Sequence, residues 1–177
     1  SPVAEVRVRP PVTGEDVEVG ELMLGDQQGQ LLALLGSDSG HLRAGNAAFD
    51  ELLGDHGDHP LATYARLARG VNATRAFKQI TAAKDVFVRD PEPAVGIAEL
   101  SRVQEASERG EGVDNITLNF VMRTRARAEA QAGDPQQAET ILDDMPRVFA
   151  SRGVKPEVVD TVRRQAAEAK AELLGEG

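Results

Sequence analysis

The sequence predicts a mainly α-helical fold: antiparallel helix pairs stacked as a short α-solenoid, with a short extended N-terminal arm. Three observations predict it. From residue 42 onward, apolar residues recur at steps of three and four, the spacing of one helix face. The breaks between these runs are short and rich in Gly, Pro and Asp, so consecutive helices must return alongside one another. Aromatic residues make up 3% of the chain, with no Trp and one Tyr, so the core falls to Ala, Leu, Val and Ile. Ala-rich contacts let helices approach closely.

Residues 1–12 stand apart. Val6 and Val8 alternate with Glu5, Arg7 and Arg9 before Pro10-Pro11, a strand-like run too short to form a sheet alone. It reads as an extended arm or linker, or as the last strand of a neighbouring domain. A helical-repeat domain is expected over 13–177. Thr13 and Asp16 resemble a capping box. Asp16 to Leu24 reads as helix, with a turn at Gly25-Asp26 and a short helix over Gln28 to Leu35; a β-hairpin turning at Gly25 to Gly29 is the rival reading. Gly36 to Gly40 is a loop by composition. Leu42 to Leu53 reads as helix through Ala44, Ala47, Ala48, Phe49 and Leu52, and Gly54 to Pro60 breaks it. Leu61 to Lys78 resumes with Tyr64, Ala65, Leu67, Ala68 and Val71, and 79–89 continue it. Asp90-Pro91-Glu92-Pro93 ends one helix and starts another, because Pro is tolerated in a first helical turn. Ala94 to Arg109 steps through Ile97, Leu100, Val103 and Ala106; Gly110 to Asp114 is a loop. Ile116 to Ala132, Gln136 to Ser151 and Pro156 to Leu174 complete the array, separated by Gly133-Asp134-Pro135 and Arg152-Gly153.

The chain has 177 residues, enough for one compact domain. Chains of this size bury roughly two-thirds or more of their unfolded surface. The net charge of −9 and the pI near 4.9 argue against a nucleic-acid binder, which needs a basic face. The arginines of the second half (Arg102, Arg109, Arg123, Arg125, Arg127, Arg163, Arg164) are interspersed with Glu and Asp, as on a solvated helical face. There is no Cys, which excludes disulfides, thiolate metal sites and a Cys nucleophile. No apolar run approaches a membrane span, and no signal peptide is recognisable. The chain opens on Ser-Pro, as expected of a piece of something longer. An Arg- and Ala-rich, Lys-poor composition points to a bacterium with a GC-rich genome. The expected location is the cytoplasm, with a secreted or surface-attached fragment of a larger bacterial protein as the alternative.

The helix turns resemble those of tetratricopeptide-like repeats. In that family a helix pair turns at Gly-Asp or Gly-Asn, a small Ala follows five residues after the Gly, and a Pro closes the unit. Gly133-Asp134-Pro135-Gln136-Gln137-Ala138 looks like that turn, and Ala126 resembles the small residue at which the paired helices touch. Ala48 and Pro60 have the family's twelve-residue spacing, Gly70 falls at the next small position, Ala82 falls near the next Ala, and Pro93 lies one short of the next Pro. The family's Trp or Tyr positions are mostly empty, and the closing Pro after residue 138 is displaced. The resemblance covers about 42–174. It implies a concave face, set by the first helix of each pair, that holds a protein or peptide partner. Segment 40–70 is also similar to helical regions that follow an immunoglobulin-like module in some bacterial surface proteins.

No catalytic signature is present. Phosphate-loop and dinucleotide fingerprints are missing, as is Gly-x-Ser-x-Gly. Asp38 in Ser37-Asp38-Ser39-Gly40-His41 reads as a helix cap beside Ser39 and not as part of a hydrolytic triad. Asp55-His56-Gly57-Asp58-His59 could offer N and O ligands to a divalent ion, with His41 completing the set. Gly-containing steps before Pro60 are equally ordinary turn chemistry. Asn72-Ala73-Thr74 and Asn115-Ile116-Thr117 match a glycosylation pattern by chance. The expected function is a non-catalytic scaffold module without cofactor or metal. Its partner-binding face is expected to use Tyr64, Asn72, Asn119, Met122, Arg123 and Arg127. A metal-binding protein or hydrolase using His41, His56 and His59 is the alternative.

Overall fold

A computed structural model describes residues 39–74 and 91–175, with side chains from residue 45 onward. Among the described residues are six helices and no strand: α1 (Ser39–His56), α2 (Ala62–Asn72), α3 (Pro93–Glu108), α4 (Asn115–Gln131), α5 (Pro135–Ser151) and α6 (Pro156–Leu174). The expected arm over 1–12, the helices expected over 16–24 and 28–35, and the continuation over 79–89 lie outside these residues. No helix among those described is long and apolar enough to cross a membrane.

The turns follow from local chemistry. Gly133 ends α4 with φ of 89°, a left-handed conformation that a side chain would strain. It lets the Asp134 amide reach back to the Glu129 carbonyl at 3.0 Å. The Asp134 carboxylate then accepts from the Gln137 amide at 2.9 Å, and Pro135 occupies the first position of α5, where no amide is needed. Three residues thus stop one helix and start the next. Gly110, with φ of 75°, ends α3 in the same way, and the Glu111 amide donates to the Ala106 carbonyl. Asp114 caps α4 by accepting from the Thr117 amide at 2.7 Å. Pro146 lies inside α5 and does not close it.

Three boundaries differ from expectation. Helix α1 starts at Ser39, inside the stretch 36–40 expected as a loop. Helix α1 runs through Gly54 to His56, because an exposed glycine costs a helix only about 1 kcal/mol. Helix α2 ends at Asn72 instead of continuing to Lys78. The amide and hydroxyl of buried Thr74 both donate to the Val71 carbonyl at 3.1 Å, and the Ala73 carbonyl accepts from the Glu92 amide at 2.9 Å. The backbone is thereby committed to the start of α3.

Consecutive helices pack as antiparallel neighbours, and α4 also touches α6 across α5. The core is accordingly serial. Phe49, Leu52 and Ala65 join α1 to α2. Val71, Leu100, Val103 and Val121 join α2, α3 and α4. The largest cluster, including Leu118, Met122, Ala126, Ala138, Leu142, Met145, Phe149 and Val162, joins α4, α5 and α6. This is a solenoid-like arrangement, in which each element is stabilised mainly by its neighbours. Helix α6 buries Val162 and Ala166 and leaves Arg163, Arg164, Ala167 and Ala171 exposed.

Small residues set the helix spacing. A Cβ on Gly70 would meet the Leu100 side chain at 2.7 Å; one on Gly96 would meet Thr74 Cγ2 at 2.9 Å and Ala128 Cβ at 3.3 Å. Polar links fix the rest. Arg69 of α2 is buried and spans Asp50 of α1, at 2.8 Å, and Glu92 before α3, at 3.0 Å. Arg66 pairs with Glu99 at 2.8 Å and donates to the Gly57 carbonyl at 2.6 Å. Arg152 donates to Ser107, Val113 and Asn115, tying the end of α5 to the α3–α4 loop.

Gly96→Ala should therefore destabilise the protein. Thr74 is fixed by its hydroxyl bond and cannot rotate away cheaply, so overpacking of about 1–3 kcal/mol outweighs the ~1 kcal/mol gained in helix propensity. Gly54→Ala, with no atom within 4 Å of its new Cβ, should stabilise by about 0.5–1 kcal/mol. Urea unfolding of both variants checks the opposite signs, and a shared sign contradicts the seam.

Hydrogen bonds from Thr117 hold the Asp114 carboxyl below its ordinary value. The cap's contribution is fully present above the unfolded value, about 4, and is lost as pH falls through the folded one. Asp114→Asn keeps a capping oxygen without the titration. Urea unfolding at stepped pH should show wild-type stability falling more steeply than the variant's below roughly pH 4. Parallel acid limbs would contradict this.

Candidate binding groove

Helices α4 and α6 both lean on α5, and because α5 runs antiparallel to each, they run parallel to one another. Two rungs set their register. Asn119 donates to Gln165 at 2.9 Å, and Arg127 donates to Glu172 at 3.0 Å. The rungs lie two helical turns apart on each helix. Between them is a groove of about 160 Å³, with Phe120, Thr124, Ala169 and Leu173 in its walls.

Arg123 stands midway between the rungs. Positions 119, 123 and 127 follow i, i+4 spacing, which places all three on one face of α4. The Arg123 Nε donates to Asn119 Oδ1 at 2.7 Å, so the Gln165–Asn119–Arg123 chain fixes the guanidinium stem. Burial pushes the Arg123 pKa down, with the positive charge of Arg127 adding to it, while Glu172 and Glu168 act in the opposite sense. Arg127 neutralises Glu172 directly, whereas Glu168 has no ion pair within the described residues.

Half of the expected partner-binding residues come together here. Asn119, Arg123 and Arg127 form one stripe on α4; Arg123 and Arg127 line the groove, and Asn119 bonds to both Arg123 and Gln165 at its end. Met122 does not: it is 1% exposed, one position and about 100° round the helix from Arg123, and packs into the α4–α5–α6 core. Asn72 is buried at the end of α2, donating to Asn46 of α1 at 3.1 Å. Tyr64 is exposed on α2, away from the groove. The residues that sequence reasoning did not name are Gln165, Glu168 and Glu172 of α6. They were identifiable only as the next first-helix face, some 45 positions downstream of α4.

Comparison with family models, curated proteins and solved structures gives no match. The reading of the site therefore rests on its geometry.

The histidine alternative fares differently. Positions 41 and 56 lie on one helix, roughly 22 Å apart at about 1.5 Å per residue, so they cannot share an ion. His59 Nδ1 accepts from the Leu61 amide at 3.1 Å, shaping the turn into α2. Among the described residues no group of three or more His, Asp or Glu side chains is placed to hold a metal ion.

Proposed function

We propose that the chain is a non-catalytic scaffold module, tetratricopeptide-like in character, that holds a protein or peptide partner in the α4–α6 groove. The observation that supports it is the groove itself: two parallel helices, locked in register by polar rungs, enclose a half-buried arginine between them. Such a surface suits an extended or helical segment whose polar groups meet Asn and Arg donors. The Arg- and Ala-rich, Lys-poor composition supports a bacterial origin, and the proposed place of work is the cytoplasm.

The double variant Arg123→Ala, Arg127→Ala tests this. Neither side chain belongs to the apolar clusters, and Glu172, left without Arg127, is 58% exposed and is solvated by water. The far-UV circular dichroism should stay unchanged. A protein retained by the immobilised wild-type chain from lysate of the source cells, and identified by mass spectrometry, should be retained several-fold less by the variant. Equal retention would contradict the reading.

A further inference from the structure

We propose that the partner is recognised through a carboxylate that docks on the two terminal amino groups of Arg123. This deepens the groove reading and rests on it.

Three of the other arginines in the described residues that are half-buried or deeper hold carboxylates: Arg66 holds Glu99, Arg69 holds Asp50 and Glu92, and Arg127 holds Glu172. Arg125 donates through one terminal nitrogen to Gln104, and its Nε is buried without a partner, so that donor is closed to an incoming ligand. Arg123 differs. Among the described residues its one hydrogen bond is through Nε, to Asn119, and no carboxylate of those residues lies within ion-pair distance. The Asn119–Gln165 link holds the stem in place, so the remaining donors present a preorganised planar fork inside the groove. A charge that is partly desolvated and set beside Arg127 is costly to leave unpaired, and an incoming anion relieves that cost. The geometry of a guanidinium fork fits a carboxylate through two parallel bonds.

The choice of a carboxylate over a phosphate follows from the other walls. Glu168 and Glu172 line the same groove, and a dianionic phosphate meets their repulsion at about twice the strength of a monoanion. Glu168, exposed and without an ion pair among the described residues, favours a basic residue beside the acid on the partner. The occupant is an Asp or Glu side chain within a partner segment, whose neighbours on either side can supply that basic residue; a free C-terminus is an outcome that the experiment distinguishes.

Random peptides displayed on phage, in one library with free C-termini and one with internal placement, are selected on the full chain. The proposal expects enrichment of Asp or Glu in the internal library, with basic residues nearby; selection confined to the free-C-terminus library overturns the side-chain assignment. Replacing the acid of a selected peptide by its amide should weaken binding roughly 10- to 100-fold, the loss of a charge-assisted pair. Arg123→Gln should do the same, and Arg123→Lys should restore part of the affinity. The peptide-side change needs no altered protein, so misfolding of a variant cannot obscure the result. Peptides selected without acidic enrichment, or binding equally after either change, overturn the carboxylate assignment and leave the groove reading intact. A phosphoserine peptide binding more tightly than its Glu counterpart also overturns it. Recovery of no peptide from either library overturns both readings.

Discussion

The contact between each helix and the next in sequence, made where side chains are small enough for close approach, governs the rest of this structure. Gly70 against Leu100, Gly96 against Thr74 and Ala128, and the fully buried Ala126 and Ala138 mark three successive crossings. A helix placed by its predecessor in turn places its successor. The groove is a consequence: α4 and α6 never meet as a primary pair, yet both are positioned by α5, and the space left between them is the site. Aromatic side chains are few, and among the described residues the core is divided into three clusters instead of one central layer.

Charge is used differently along the array. In α2, Arg66 and Arg69 are buried and matched by Glu99, Asp50 and Glu92, which link three consecutive helices. Burying an ion pair is nearly neutral in energy, but separating one is costly, so such pairs specify which helices meet more than they stabilise the contact. In α4, Arg123 has the stem support of a structural arginine without the matching carboxylate. That contrast within one fold gives the groove its chemical character.

Much of the fold was legible in the sequence, and the reasons are local. Gly133-Asp134-Pro135 contains a left-handed terminator, a cap and a first-turn proline, and each does its expected job within three residues. The end of α2 was not legible, because Thr74 and Ala73 bond according to where α3 lies, which is tertiary information. The groove was legible on α4 as the 119–123–127 stripe. Met122 and Asn72 were misplaced because a solenoid helix packs on two flanks, leaving a narrow free face. On a helix, one step of sequence is a third of a turn. The α6 side carried no distinguishing pattern, since Gln165, Glu168 and Glu172 resemble any solvated surface until α4 is set beside them.

Native-state hydrogen exchange in a chain carrying Phe49→Ala tests the serial account most directly. Phe49 is fully buried in the cluster that joins α1 to α2, well away from α5 and α6. Its loss should lower amide protection in α1 and α2 while leaving α5 and α6 close to their wild-type values, as expected where stability passes between nearest neighbours. A uniform fall in protection across all six helices would contradict it.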